Sequence, residues 1–469
     1  MDREKTLEAL EQISDRHIEE AARPPKKKRS AWISAVAAIL AVAICLGIFF
    51  GPARINVQAV ALPGEARIMN YPVLSDYGDW ALTLDARERY EAEKALRING
   101  RKAALANLTD FFTRGTGEFL SGGTENRLWS PVNAYIGLAM VAELTAGESR
   151  QQILDLLGAA DLEELRQQVS AVWESAYSGN KNETCILANS LWLEEGLQYN
   201  QQTMDALAHH YYASVYQGDL GSNAINKAIG AWLDENTGGF LRKQTGNIRL
   251  SQETVLALYS TIYFQAKWMN QFSAKNNTQD VFHGAKGDLQ ATYMNKKEAM
   301  MYYYWGDTFS AVALNLKNGS SMWFILPDEG LTTADVLADG QYMEMILDAG
   351  WENQKYMKVN LSVPKFDVSG TMNLQEGLKK LGVADVFSAQ DADFSGITSQ
   401  VPVYLTAANQ SVRVQIDEEG VKAAAYMEFP GAMSPAPPDE IIDFIVDKPF
   451  LFVIEQDNIP LFAGCVNDP

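Results

Sequence analysis

Four histidines are all the imidazole that this 469-residue chain can bring to acid–base chemistry. His17 lies in a polar N-terminal leader, His209 and His210 are neighbours in a helical run, and His283 sits in VFHGAKG. Adjacent helical residues point to different faces, so the pair is badly placed to share a zinc ion. No G-x-S-x-G elbow accompanies any of the four, which leaves a Ser-His-Asp triad without its nucleophile. Gly122–Gly123 and Gly238–Gly239 lack the strand-to-helix context of a phosphate loop and read as turns. The chain is therefore read as a non-enzyme that uses no cofactor and no metal.

What it offers instead is the chemistry of a substrate. Val421, Ala423, Ala425, Met427 and Phe429 alternate with Lys422, Ala424, Tyr426 and Glu428, the period of a half-buried strand. Gly431, Pro435, Pro437 and Pro438 follow, and prolines cannot donate to a ladder. The window alone fits two descriptions: an edge strand entering a proline-rich connection, or a strand on a tether awaiting a place in a sheet.

The flanks bear on that choice. IDEEG (residues 416–420) precedes the window and FIVDKPFLFVI (444–454) follows it. Upstream, in order, come WSPVNAYIGLAMVAELTAGESRQQIL (129–154), NSLWLEEG (189–196), INKAIGAWLDENTGG (225–239), TIYFQAKWMNQF (261–272), FILPDEG (324–330) and VPKFDVSGTMNLQEGLKKLGVADVFSAQDADFSGIT (363–398). Together these resemble the serpins, the serine protease inhibitor family, over roughly residues 102–469. One such motif would be weak; the ordered set is specific. The mixed order of helical and strand-like runs, without regular βα alternation or internal repeats, independently points to α+β.

The resemblance implies a large mixed β-sheet with surrounding helices and an exposed reactive loop at about 418–440. It also implies a suicide-substrate mechanism, in which a serine protease cleaves the loop, is held as an acyl-enzyme, and is trapped when the freed strand enters the sheet. The hinge would be Glu418, Glu419, Gly420, Val421, Lys422, Ala423, Ala424 and Ala425. Three consecutive small alanines favour sliding between packed strands. Lys422 stands where the family often has an acid, and Tyr426 where it usually has a small residue. The family spacing would put the cut between Ser434 and Pro435, but proline after a scissile bond suits few serine proteases. Moving the cut by one gives Met433–Ser434 and a protease with an apolar primary pocket: elastase-, chymotrypsin- or subtilisin-like. Residues 423–444 contain no Lys or Arg, which argues against trypsin-like targets. Trp268 matches the tryptophan where the loop enters the sheet, and Ser130 and Asn133 match a polar sheet-opening cluster. Ser260 and Gln410 occupy positions where that cluster usually has asparagine and histidine, so its imidazole is missing. A non-inhibitory serpin-like binding or structural module is the alternative, and bulky Tyr426 is its best support.

Composition and the N-terminal segment set the context. A net charge of −20 leaves no basic face for nucleic acid. The short run KKKR at 26–29 precedes an uncharged apolar stretch at 31–50, enough at about 1.5 Å per residue to cross a hydrocarbon core of about 30 Å. The long polar leader and the absence of a small-x-small site favour an anchor over a cleaved signal, with residues 1–30 cytoplasmic. Cys45 within it reads as a membrane-buried apolar residue rather than a lipidation site. Residues 51–98 read as a stalk and 99–469 as the folded domain. The expectation is a monomeric, bacterial-type member of the family, held at the cell membrane by a single span and facing outward to its proteases. Cys185 and Cys465 each lie in apolar strand-like runs and read as buried free thiols.

Overall fold

The computed structural model describes residues 57–64, 78–179, 184–242, 248–347, 351–421 and 440–469. From the N-terminus run strand β1 (Gln58–Ala61), helix α1 (Trp80–Leu120), β2 (Arg127–Trp129), α2 (Pro131–Leu144), α3 (Gly147–Leu157), α4 (Leu162–Ala176), β3 (Ser178–Gly179) and β4 (Thr184–Glu194). Then follow α5 (Gln201–His210), β5 (Ala213–Gly218), α6 (Asn223–Asn236), β6 (Leu256–Lys267), β7 (Thr278–Gly284), β8 (Gly287–Trp305), β9 (Phe309–Asn315) and β10 (Ser321–Pro327). The chain continues with α7 (Thr333–Asp339), α8 (Gln341–Leu347), β11 (Gln354–Pro364), β12 (Phe366–Asn373), α9 (Gln375–Lys380) and β13 (Asn409–Ile416). It closes with β14 (Gly420–Val421), β15 (Ile441–Ile445), β16 (Phe450–Gln456) and β17 (Ile459–Val466).

One sheet has the order β1-β5-β4-β6-β14 with β3 against β4; a second runs β15-β11-β8-β9-β10-β16-β17-β2 with β7 against β8; β12 and β13 form an antiparallel pair. Among the described ladders only β4–β5, joined through α5, and β11–β15 are parallel, and the rest are antiparallel, which makes the fold α+β rather than a doubly wound parallel sheet. α2 lies at the centre and is buried on nearly every side, from Pro131 to Leu144. Ser130 caps it and Pro131 occupies its first turn, where a missing N–H costs nothing. β16 and β17 are almost wholly buried, with Phe450, Phe452, Ile454 and Leu461 in the core, and their two-residue turn puts Asp457 and Asn458 at φ 54° and 66°. Both residues at positive φ make the tight turn that matches strand twist. Trp192 and Phe366 are likewise buried, and Cys185 and Cys465 are buried free thiols.

The N-terminal part departs from the sequence expectation. Within the segment read as a stalk, β1 pairs antiparallel with β5 through Gln58–Gln217, Ala59–Tyr216 and Ala61–Val215, and Val57 is buried. Helix α1 begins at Trp80, inside the segment read as a stalk, and is capped by the Asp79 carboxylate, which accepts from the N–H groups of Ala81 and Leu82. The apolar stretch 31–50 lies outside the described residues, and among the described helices none is long and apolar enough to cross a membrane.

Glu455, a half-buried residue at the β16–β17 turn, has its carboxyl withdrawn from water, which pushes its pKa up to about 7. Its Oε2 accepts from the Asn458 N–H at 3.0 Å. The folded state thus holds this proton more tightly than the unfolded chain, so stability is fully present at acid pH and is lost as pH rises from the ordinary glutamate value toward about 7. Glu455→Gln should flatten that decline and raise the melting temperature at pH 8 relative to wild type, measured by thermal unfolding between pH 5 and 8.

Candidate functional site

β6 and β13 face one another across a cleft lined by Ile262, Tyr263 and Phe264 on one side and Val412, Arg413 and Val414 on the other, with Val421 at one end. β6 pairs with β4 from Leu256 to Gln265, and β13 pairs with β12 along its whole length. Across the cleft, among the described residues, the only ladder partners of β6 are Gly420 and Val421, opposite Lys267 and Ala266. The loop that the family resemblance leaves exposed from about 418 therefore has its first two strand residues seated at the cleft mouth. Val421 is 5% exposed, which fits its place in the inward-facing set.

This mouth is closed by specific contacts. The Trp268 indole N–H donates to the Asp417 carbonyl at 2.8 Å, while the backbone N–H groups of Trp268 and Phe272 donate to the carbonyls of Glu419 and Glu418, each at 3.1 Å. Trp268 is buried and packs edge-on to Phe272 at 6.0 Å. The Lys365 ammonium donates to both Glu418 carboxylate oxygens, at 3.0 and 2.9 Å, and Asn277 Nδ2 donates to one of them. Burial alone would raise the Glu418 carboxyl, but the hydrogen bonds from Lys365 and Asn277 hold it below the usual range. Glu419 is exposed and lies 3.7 Å from the Lys267 ammonium. A Cβ on Gly420 would stand 2.4 Å from the Ala266 carbonyl oxygen and 2.5 Å from the Lys267 Cα, so glycine is required here for close approach to β6 as well as for its φ of 155°.

Farther down β6, a second cluster joins the two halves. Ser130 N–H donates to Gln410 Oε1 at 2.8 Å and Gln410 Nε2 donates to the Ser130 carbonyl at 3.0 Å, so one amide side chain of β13 clasps the peptide at the start of α2. Ser130 Oγ donates to the Leu461 carbonyl at 2.6 Å. Asn133 Nδ2 donates to the Ser260 carbonyl at 3.1 Å, and the Ser260 hydroxyl donates to Asn133 Oδ1. Ser130, Asn133, Ser260 and Gln410 are thus brought together, with Ser130 and Gln410 buried. At about 3.3 Å per residue they lie roughly 25 Å along β6 from Trp268, so the predicted site residues form two groups rather than one. Lys422–Ala425, Met433 and Ser434 lie outside the described residues.

Two features were not foreseen from sequence. Lys365 sits in the quoted VPKF motif, yet nothing in its type marks it as the partner of Glu418. The turn after α6 straps the cleft: Phe240 approaches Tyr263 of β6 at 6.4 Å and lies under the Arg413 guanidinium of β13 at 4.3 Å, while Arg413 Nη1 donates to the Phe240 carbonyl at 3.2 Å. Arg413 is itself held by a bidentate pair with Asp367 at 2.8 and 2.7 Å. No periodicity in the sequence signals such a crossing.

The family model described as Serpin (serine protease inhibitor) matches residues 107–469. Alpha-1-antiproteinase S of Cavia porcellus is 29% identical over 74% of this chain and 85% of its own length, and alpha-1-antiproteinase F of the same species is 28% identical over 74% and 86%. Among solved structures, the thermophilic serpin tengpin in its native state superposes with a TM-score of 0.68 over 77% of this chain and 93% of that one; at 24% identity this shows the fold. Serpin48 of Tenebrio molitor is 26% identical, with a TM-score of 0.64 over 78% and 97%.

Replacing Gln410 by leucine would leave the buried Ser130 N–H without an acceptor. Gln410→Leu should destabilise the fold by about 1–3 kcal/mol, read as a lowered denaturation midpoint at unchanged slope.

Proposed function

Because this chain belongs to the serpin family, we propose that it inhibits serine proteases as a suicide substrate, with Met433–Ser434 as the bait bond. The protease serine Oγ attacks the Met433 carbonyl, the bond to the Ser434 nitrogen breaks, and the amine leaves with its proton, giving an acyl-enzyme. Strand insertion, already described for this family, then traps the ester before water reaches it. The observation that carries this reading is the pairing of Gly420 and Val421 with β6 at the cleft mouth.

Continued along the same register, Ala423 would stand opposite Phe264, Ala425 opposite Ile262, Met427 opposite Ser260 and Phe429 opposite Leu258. In that register all of these would share the inner face with Val421, whereas Lys422, Ala424 and Tyr426 would face outward. Tyr426 then meets the strap side of the sheet, where Phe240 lies, and Met427 arrives at the Ser130–Asn133–Ser260–Gln410 group. Burying Met427 and Phe429 at about 1.5–3 kcal/mol each, with new cross-strand pairs at about 0.2–1 kcal/mol each, yields on the order of 10 kcal/mol. Distorting a protease to the extent of one lost oxyanion-hole donor already slows its chemistry by about 10²–10³. Glu418 and Glu419, with Lys365, Asn277 and Trp268, act as the hinge anchor in this scheme, and the Gln410 clasp as the element that must yield. Partners are serine proteases with an apolar primary pocket, met by a monomer.

Incubation with elastase-, chymotrypsin- and subtilisin-like proteases should give an adduct that survives boiling in denaturant, with a released C-terminal peptide beginning at Ser434 by mass spectrometry. Val421→Arg should leave loop cleavage near the wild-type rate but abolish the adduct, because an unpaired cation cannot keep the buried seat beside Ala266 from which insertion would proceed. Cleavage of the wild type without any adduct would instead favour a non-inhibitory module.

The KKKR run before residues 31–50 supports a single-span anchor that presents the domain outside the cell. Protease shaving of intact cells should then remove the domain and spare residues 1–30. A secreted form starting just after Gly51 would overturn the anchor.

A further inference from the structure

The lysines around the cleft mouth answer to carboxylates: Lys267 to Glu419, Lys365 to Glu418 and Lys358 to Glu298. Lys296, on β8, is fastened otherwise. Its ammonium lies 4.4 Å from the centre of the Phe272 ring and donates to the Asn270 carbonyl, and among the described residues it has no carboxylate partner. The free charges nearest in the chain, Lys297 on the same strand and Lys275 in the turn at 274–276, have its own sign, while Asp280 of β7 acts on His283 and Tyr293. A half-buried amine with an aromatic face and no acid beside it gives up its proton readily, because burial penalises the charged form and nothing offsets the penalty. Burial accordingly lowers its pKa to about 8, so neutral amine, the nucleophilic form, is present near neutral pH.

The position of this amine gives its chemistry a consequence. Residues 270–272 follow Trp268 at the end of β6, and each is tied. Lys296 holds the Asn270 carbonyl from β8, Gln271 Nε2 donates to the Glu419 carbonyl at 3.3 Å, and the Phe272 N–H donates to the Glu418 carbonyl at 3.1 Å. The Phe272 ring meets the Lys296 cation and packs edge-on to Trp268. One side chain thus braces the segment that seats the hinge. We propose that Lys296 is a modification site, a nucleophilic lysine that takes an acyl group from an acyl phosphate, and that its acylation loosens the hinge anchor. The amine lone pair attacks the acyl carbonyl carbon, the bond from that carbon to the phosphate oxygen breaks, inorganic phosphate leaves, and the surplus proton on nitrogen passes to solvent. The amide product has no charge for the Phe272 ring to attract, and it places an acyl group where an ammonium stood. This deepens the inhibitor reading and rests on it only for what a loosened hinge does to inhibition.

The test needs no protease. The whole chain in detergent is treated with acetyl phosphate at about pH 7.5, and acetylation of each lysine is followed by mass spectrometry. Lys296 should react about tenfold or more faster than Lys297, its exposed neighbour, at a rate that levels off above about pH 8. Hydrogen exchange then reads the hinge. The Trp268 and Phe272 N–H groups should exchange about tenfold faster in the acetylated chain, and likewise in Lys296→Gln, whose side-chain amide mimics the product. Lys296→Arg, which keeps a cation and takes no acetyl group from this reagent, should exchange alike before and after treatment. Acetylation of Lys296 no faster than that of Lys297 overturns the site, and unchanged exchange in the acetylated chain overturns its coupling to the hinge. Should Lys296→Gln fold poorly, the acetylated wild type beside treated Lys296→Arg decides the matter. Adduct formation with active proteases is scored separately: its absence from the untreated chain refutes inhibition, while fast acetylation with faster exchange would still uphold the site.

Discussion

A strand inside a protein has hydrogen-bonding groups on both edges, and both edges need partners. β6 meets this demand unevenly: β4 serves one edge almost from end to end, while across the cleft the described chain offers only Gly420 and Val421. Backbone N–H and C=O groups left without partners near a core cost free energy comparable to lost hydrogen bonds. The surrounding structure can be understood as the means of holding two halves of a sheet in that unequal state. At the mouth, Trp268, Lys365 and Asn277 fix Asp417 and Glu418, so the first residues of the incoming strand are positioned in register. At the far end the Gln410 side chain holds the start of α2, and Asn133 holds Ser260. Between them, Phe240 and Arg413 cross the cleft from outside.

These three fastenings differ in kind. The mouth is an ion pair strengthened by limited exposure, with Glu418 19% and Lys365 35% accessible, so its contribution is modest but its geometry is specific. The Gln410 clasp is neutral and buried, so it is insensitive to pH where an imidazole would not be. The strap combines a guanidinium stacked on a phenyl ring with a hydrogen bond from Arg413 to the Phe240 carbonyl, and Asp367 fixes the guanidinium.

How much of this the sequence disclosed follows from the range of the interactions. The capped start of α2 at Ser130–Pro131 and the grouping of Ser130, Asn133, Ser260 and Gln410 were legible through local pattern or ordered motifs. The serpin family followed from the same motifs. Pairings between residues far apart in the chain were not legible. Lys365 with Glu418 and Phe240 with Arg413 involve ordinary residue types with no period to announce them. β1 escaped for another reason: four residues, Gln58–Ala61, are too few for periodicity to register, and the glycines and prolines around them suggested a linker.

β1 also bears on a hazard that comes with any sheet prepared to admit a strand. A fold of this kind risks pairing with the wrong chain at whichever edge is open, and the outer edge of β5 would be such a place. There β1 covers Val215–Gln217, and it is short and its ladder shifts register between Ala59 and Ala61. A brief, irregular strand is a poor template for further pairing. The same few residues that lengthen the sheet therefore bring its growth in that direction to a stop, leaving the cleft as the place where a new strand finds a continuous partner.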